Sequence, residues 1–325
     1  MANRYSVADG DWTDPAVWDG GASVPGSADR TLVSVGTLVT ALGSIETGGD
    51  SSASVTINGV TTTYGLTVRG TLKASRAANT TLTLNGGLPC GGTGAIDFRT
   101  ESHPIPSGVT ATILTNKSAA LSAGKYAFRV EGAGTFHAWG ATRKRVAVLT
   151  ATASAGATSI SVDDATGWAV GDEIIVATAN TGGNNRYALR TIAAGYTGGL
   201  SIPLSSALTY THAAGLPVTN LSSNVKIGSY NNTYPGKVQF VVNSSSVSAN
   251  CDMGYVTFDT PFDQFPDNGV IFNQTSNFTS SPYANSWSKI ESIAVIQRGT
   301  GGALNLAQAQ IASPLVFDNC VVVTV

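Results

Sequence analysis

The chain has 325 residues, a formal net charge of −2, and charged residues at only 12% of its positions. That length is enough for a large buried core, in one elongated domain or two compact ones. This charge balance gives no reason to expect a nucleic-acid surface, which would require clustered Lys and Arg. We interpret the one basic run, Arg143-Lys144-Arg145, as a solvated turn rather than a binding patch.

The composition predicts an all-β chain. Gly, Ser, Thr, Ala, Asn and Val dominate, whereas good helix formers such as Lys, Glu and Gln are scarce. Cys90, Cys251 and Cys320 are too far apart for a zinc motif and too few for a disulfide framework. We therefore expect all three to be small buried side chains. No phosphate loop, nucleophile elbow or zinc signature is present in the sequence, and we predict no cofactor, metal ligand or catalytic residue.

Residues 1–30 form a turn-rich segment in which Trp12 and Trp18 bracket Asp14-Pro15. We expect the two indoles to cap one end of an apolar core, with exposed sugar-binding rings as the alternative. This start lacks the basic and apolar runs of a signal peptide, and no stretch approaches the roughly 18 apolar residues of a membrane span. The expectation is a protein made in a cytoplasm without membrane insertion.

Residues 31–145 read as short alternating strands such as "TLVSVGTLVTAL", "YGLTVRGTLKAS" and "GAIDFRT". The dipeptides Asn58-Gly59 and Asn85-Gly86 predict tight turns between them. Strands this short with no helix between them are typical of a sandwich, a barrel or a β-solenoid.

Residues 146–218 resemble a small β module of strands and turns. Within it, "ATGWAVGDEIIVATAN" spans residues 165–180. We predict that Trp168 and Val170 point inward and that Gly171-Asp172 turns into the next strand. Asp172 then has a structural role as the turn residue before the strand. Its neighbour Glu173 must point the other way along that strand, so the two carboxylates do not converge on one site. The alternative is a catalytic or metal-binding Asp172.

Residues 219–325 carry apolar triplets such as "GVIF", "IAVI" and "LVF" between Gly and Asn. This pattern predicts the stacked rungs of a parallel β-helix, which continue beyond Val325 or are capped by a partner chain.

Seven segments in order resemble the G8 domain and the segment after it, as found in cell-migration-inducing hyaluronidase-like and fibrocystin-like proteins and in many phage and bacterial proteins. They include "WDGGASVP", "GLTVRGTLKA", "YAFRVEGAGTFHAWG", "GWAVGDEIIVATA" and "LTYTHAAG", within residues 12–260. The resemblance implies a right-handed parallel β-helix entered by G8-type strands, with a small β module inserted at 146–218. The opening "MANRYSVADGDWTDPAVW" separately resembles the start of tailed-phage virion proteins.

The hyaluronan-degrading relatives raise an enzyme hypothesis, which needs paired carboxylates some 5 to 10 Å apart. The candidates in the sequence are the acids Asp252, Asp259, Asp263 and Asp267, interleaved with Phe258, Phe262 and Phe265 as a sugar platform. We favour the alternative of an extended loop with its acids in solvent. His212 in "YTHAAG" is interpreted as a packed structural residue.

We therefore predict a structural component of a bacteriophage virion, in the tail as a tailspike, fibre or baseplate-associated part. Its expected partners are other virion proteins, copies of itself and a host-surface polysaccharide. The alternatives are a hyaluronidase-like, glycan-degrading β-helix enzyme and a non-catalytic bacterial surface adhesin.

Overall fold

The computed structural model describes residues 2–27, 29–41, 43–47, 55–57, 60–62, 65–115, 128–130, 134–178, 187–229, 238–242, 250–260, 270–274, 288–292, 294–297, 304–305, 315–318 and 320–324. Within these ranges the chain is almost entirely β-structure, as predicted, with one short 3₁₀ helix at Pro15–Val17.

Three parallel sheets are built by strands that recur in a fixed order along the chain. The first sheet contains β1 (Asn3–Tyr5), β3 (Arg30–Val33), β8 (Leu66–Val68), β11 (Leu88–Cys90), β14 (Phe128–Val130), β23 (Val238–Val242), β26 (Val270–Gln274) and β29 (Leu304–Asn305).

The second sheet contains β2 (Gly10–Asp11), β4 (Leu38–Ala41), β9 (Thr71–Ala74), β12 (Ala95–Phe98), β15 (Thr135–Trp139), β24 (Asn250–Gly254), β27 (Ser288–Glu291) and β30 (Leu315–Asp318). The third contains β5 (Gly43–Glu46), β10 (Thr80–Leu84), β13 (Ala111–Thr115), β22 (Val225–Ser229), β25 (Val256–Thr260), β28 (Ala294–Gln297) and β31 (Val321–Thr324).

Each full turn of the chain adds one strand to each sheet in the order first, second, third. This is the connectivity of a parallel β-helix, in which each coil pairs with the coil before it and the coil after it. The triplets of the last third form β26, β28 and β30, so the prediction of stacked parallel strands there is confirmed.

The interior of the coil is one apolar cluster that runs from coil to coil. Leu72, Ile96 and Phe136 illustrate it, since they occupy successive strands of the second sheet, lie in register and are fully buried. Trp12 and Trp18 are also buried, and their rings meet edge-on with centroids 4.7 Å apart. The expected role of these indoles at the end of the core is confirmed.

Within the described parts of the chain, two antiparallel additions interrupt the coil. The strands β6 (Val55–Ile57) and β7 (Val60–Thr62) pair as a hairpin; Asn58 and Gly59 lie outside the described residues. The dipeptide Asn85-Gly86, by contrast, lies at a corner between the third and first sheets and not in a hairpin.

The larger addition lies between β15 and β22. It contains β16 (Val146–Val148), β17 (Ser159–Ser161), β18 (Glu173–Val176), β19 (Ala188–Thr191), β20 (Ser201–Pro203) and β21 (Pro217–Asn220). These strands pair antiparallel and enclose an apolar cluster of their own. A third cluster of Ile175, Leu221 and Ile296 joins the addition to the third sheet of the coil.

Candidate functional site

A row of titratable side chains crosses the outer face of the second sheet. Lys73, Asp97, His137 and Asp252 stand in register on the neighbouring strands β9, β12, β15 and β24. All four are partly exposed, whereas their neighbours along each strand, such as Ile96 and Phe136, point into the core. The period-2 alternation of a strand therefore places the whole row outside.

The row brings a carboxylate to each side of an imidazole. Neighbouring strands lie about 4.8 Å apart, so the Cα atoms of Asp97 and Asp252 are separated by roughly 10 Å across His137. The paired carboxyl groups of glycosidases lie about 5 to 9.5 Å apart, so the side chains of Asp97 and Asp252 would have to lean towards each other across His137 to act as such a pair. Asp97 is also tied locally, because its Oδ1 accepts the backbone N–H of Arg99 at 2.9 Å.

Asp252 was the only member of this row singled out from the sequence. Asp97 and His137 were missed because they lie 40 residues apart and belong to no known motif. The signal that could have found them is the repeated pattern "GTLKA", "GAIDF", "GTFHA" and "ANCDM", in which the titratable residue is always fourth. Aligning the strands as rungs puts these four residues in one column.

The predicted loop from Asp252 to Asp267 is wrong over its first part. Asp252 lies in β24 and Asp259 in β25, which belong to different sheets. Asp259 Oδ2 is 2.7 Å from the Nζ of Lys226, and Phe258 is fully buried in the core. Position 258 faces inward in β25, so the phenyl ring lies in the core. It therefore cannot form a surface on which a sugar stacks.

The other candidates of that segment, Asp263, Asp267, Phe262 and Phe265, lie outside the described residues. Within the residues that the structure does describe, no group of three or more His, Cys, Asp and Glu side chains could hold a metal ion.

Asp172 is the centre of a buried polar network. Its Oδ2 lies 2.9 Å from Nη1 of Arg143, 2.7 Å from Nδ2 of Asn220 and 3.0 Å from the backbone N of Ala169. The predicted turn is present, since Gly171 has φ of +85° and β18 begins at Glu173. These contacts support the structural role expected for Asp172.

The run Arg143-Lys144-Arg145 is not a solvated turn. Arg143 is 8% exposed and Arg145 fully buried, and only the side chain of Lys144, 40% exposed, reaches solvent. Alternation along an extended chain explains the pattern, because every second side chain points inward. The buried charges are tolerated because each guanidinium is hydrogen-bonded.

Arg145 links the antiparallel addition to the coil. Its guanidinium donates to the carbonyl oxygens of Asn220, Ser222 and Ser292 and to the hydroxyl of Ser223. Burial lowers the pKa of Arg145 to about 9. The group is therefore still charged at neutral pH, and these oxygens stabilise its charge.

Trp168 is buried at 6% exposure, and its Nε1 donates to the carbonyl of Lys144 at 2.7 Å. Val170, which was also expected inside, is 50% exposed. The reason is that residues 165–172 form two consecutive turns, closed by Trp168 N to Ala165 O and Asp172 N to Ala169 O. Strand alternation does not apply there.

His212 is fully buried, and its Nδ1 lies 2.8 Å from the carbonyl oxygen of Ala177. This is the packed, hydrogen-bonded His that the sequence predicted. Cys90 is a buried free cysteine and Cys320 is partly buried; the side chain of Cys251 is not described. Among the helices of the described ranges, none is long and apolar enough to cross a membrane.

No protein-family model and no curated protein matches the sequence. Several solved structures, by contrast, are similar to this chain. The Gp54 tailspike of Acinetobacter baumannii bacteriophage AP22, solved with A. baumannii capsular saccharide, aligns over 78% of this chain at 12% identity and a TM-score of 0.24. The gp61 tailspike of Pseudomonas phage phi297 aligns over 69% at 9% identity and a TM-score of 0.26.

The gp49 tailspike of Pseudomonas phage LKA1 aligns over 78% of this chain at 15% identity and a TM-score of 0.24. The alignments cover 41%, 34% and 37% of the three tailspikes, so this chain spans well under half of each. All three of these solved structures are phage tailspikes.

Proposed function

We propose that the chain is a structural component of a bacteriophage virion, located in the tail and in contact with host-surface glycan. The observation that supports this best is the coil of three parallel sheets around one continuous core. Such a stack is stiff along its axis, because successive coils from the second one onward are hydrogen-bonded to each other through three sheets. A tailspike, a fibre or a baseplate-associated part needs that stiffness.

The proposal includes a right-handed coil with G8-type strands over residues 31–145, after the segment 1–30. Residues 146–218 are an inserted module, and residues 219–325 return to the coil. The separate apolar cluster of the module and its strands that pair only antiparallel favour this division. Other virion proteins and copies of this chain are the proposed partners.

One observation favours a second candidate, a glycan-degrading β-helix enzyme. It is the row in which His137 stands between Asp97 and Asp252 on the outer face of the coil. One carboxyl group would act as general acid and the other as base or nucleophile. A bacterial surface adhesin would have the same fold without that chemistry. Only its location on the bacterial surface would distinguish it from a virion protein.

The glycan contact can be tested by competition. Phage particles that carry the protein are mixed with host cells in the presence of increasing amounts of the purified chain. We expect the chain to slow adsorption of its own phage but not of an unrelated phage on the same host. Undiminished adsorption at saturating protein would contradict the glycan contact and leave only the structural role.

A further inference from the structure

Arg99 occupies the corner at which the chain leaves the second sheet towards the third. It follows the last residue of β12 and has a φ of +77°. The corners that follow β24 and β27 also have a positive φ, at Tyr255 and Ser292. The left-handed backbone is thus a recurring property of this corner, and the side chain in each coil needs an explanation of its own.

The backbone conformation does not explain an arginine at this corner. Gly adopts a positive φ without strain, and Asn or Asp tolerates it better than other residues do. Tyr255 has a packing reason for its place, because its ring meets that of Trp139 edge-on. The Nε of Arg99, by contrast, is enclosed, and no atom of the described residues accepts a hydrogen bond from it. The guanidinium of Arg99 therefore keeps free donors.

The carboxylate of Asp97 acts on this guanidinium only through space. Asp97 lies two residues before Arg99, and its Oδ1 accepts the backbone N–H of Arg99 at 2.9 Å. Burial lowers the pKa of Arg99, the charge of Asp97 raises it, and the positive charge of Arg76 lowers it again. Arginine nevertheless stays protonated at neutral pH, so Arg99 carries a charge that no direct ion pair with Asp97 neutralises.

Arg76 lies in the neighbouring coil, one residue after Ser75. Lys73 and Asp97 are paired across β9 and β12, so Ser75 and Arg99, two residues further on, also lie side by side. The hydroxyl of Ser75 accepts the backbone N–H groups of residues 77 and 78 at 3.1 and 3.2 Å and fixes this turn. Arg76 is exposed, and its Nε donates to the carbonyl oxygen of Pro104 at 3.0 Å. That bond holds the guanidinium in place and leaves its two Nη groups available.

Positive charge is in excess at this corner. Three cationic side chains, Lys73, Arg76 and Arg99, stand against two acids, Asp97 and Glu101, on a chain whose net charge is −2. Two guanidinium groups held close together repel each other, and a bound anion would relieve that repulsion. The planar fork of a guanidinium matches the paired oxygens of a carboxylate or a phosphate.

We propose that Arg76 and Arg99 bind an oxyanion group, a carboxylate or a phosphate, on the host-surface glycan. This inference rests on the proposed glycan contact and adds that the glycan is acidic. The site adjoins the outer row of the second sheet, because Lys73 and Asp97 belong to that row. A saccharide that lies along the row therefore reaches the two arginines with an acidic group at its side.

The test measures binding of the full chain to polysaccharide purified from the host surface, in three preparations. One preparation is untreated, one has its carboxyl groups reduced to alcohols, and one has its phosphate groups removed with hydrofluoric acid. We expect the chain to bind the untreated polysaccharide and to bind one of the treated preparations at least about tenfold more weakly. The treatment that weakens binding identifies the oxyanion as a carboxylate or a phosphate.

Three variants assign the effect to the corner. Arg99→Asn suits the positive φ, so it should keep or raise the melting temperature while it weakens binding of the untreated polysaccharide by about tenfold. Arg76→Gln changes an exposed residue and should weaken binding as well. Arg69→Gln removes the same charge beyond the other end of β9 and should change affinity by less than about twofold.

The outcomes separate this site from the glycan contact on which it rests. Unchanged affinity in both Arg99→Asn and Arg76→Gln, equal weakening by Arg69→Gln, or undiminished binding of both treated preparations would overturn the oxyanion site and leave the glycan contact intact. Absence of binding to the untreated polysaccharide would overturn the glycan contact itself, and the site with it.

Discussion

Arg143 and Asp172 form an ion pair inside the antiparallel addition, with Nη1 and Oδ2 2.9 Å apart and side chains only 7% and 10% exposed. The pair joins the extended chain that leaves β15 to the turn that precedes β18. Asn220 donates to the same carboxylate oxygen from the end of β21. One acid therefore holds three separate segments together.

Replacing Asp172 with Asn should destabilise the protein strongly, contrary to the small effect that a simple turn would give. The change leaves the Arg143 charge buried without its counter-ion, which typically costs about 3 to 5 kcal/mol of unfolding free energy. Urea unfolding of the two proteins measures the difference.

The matched control is Asp164→Asn. Asp164 lies 3.6 Å from Lys144 with both side chains about 40% exposed, and such a surface pair contributes about 1 kcal/mol or less. If the two Asn variants unfold at the same urea concentration, the buried network has no special role.

Trp168→Ala should lower the unfolding free energy by about 3 to 5 kcal/mol, because it empties the space of a large ring in the core of the antiparallel addition. Trp168→Phe keeps most of the ring and loses chiefly the hydrogen bond to Lys144 O, worth about 1 kcal/mol. Calorimetry of the three proteins ranks them. An unchanged melting temperature in the Ala variant would place the ring on the surface.

Gly254→Ala should prevent normal packing of the coil. A Cβ at this position would overlap the indole ring of Trp139, which is only 2% exposed and pairs edge-on with Tyr255. Gly108→Ala is the control, because nothing lies within 4 Å of a Cβ there. We expect a large fall in soluble yield and melting temperature for Gly254→Ala alone. Similar behaviour of the two variants would mean that the indole moves aside easily.

The row of titratable side chains on the outer face of the second sheet allows a test that distinguishes the structural function from the enzymatic one. If the chain is a passive virion part, purified protein releases no new reducing ends from host-surface polysaccharide or from hyaluronan. The double variant Asp97→Asn, Asp252→Asn then assembles normally. Release that disappears in this variant but persists in Asp259→Asn, whose carboxylate lies on another sheet, would establish the enzyme instead.

Much of the fold follows from local patterns. The triplets "GVIF" and "IAVI" predicted parallel rungs because apolar strands bounded by Gly and Asn pack on one another. Trp12 and Trp18 were recognisable as a core end because large rings need burial. The buried Arg143 and Arg145 were not predictable, since their acceptors come from residues some 30 to 150 positions away.

The outer row could not be read from the sequence for a related reason. His137 and Asp252 are neighbours across strands, but 115 positions separate them along the chain, most of them in the antiparallel addition. The coils differ in length, so the residues of this row recur at irregular intervals in the sequence. Only the strand pairing shows that they lie side by side. Asp252 alone was visible, and it was grouped with Asp259, which lies in a different sheet.

The central claim is that the chain is a built-in part of a phage particle. Quantitative mass spectrometry of particles purified through a density gradient, after high-salt and detergent washes, tests it most directly. We predict that peptides of this chain remain in a fixed ratio to the major tail proteins in every particle fraction. Peptides found only in the lysate, or lost with the washes while the particles stay intact, would contradict the account.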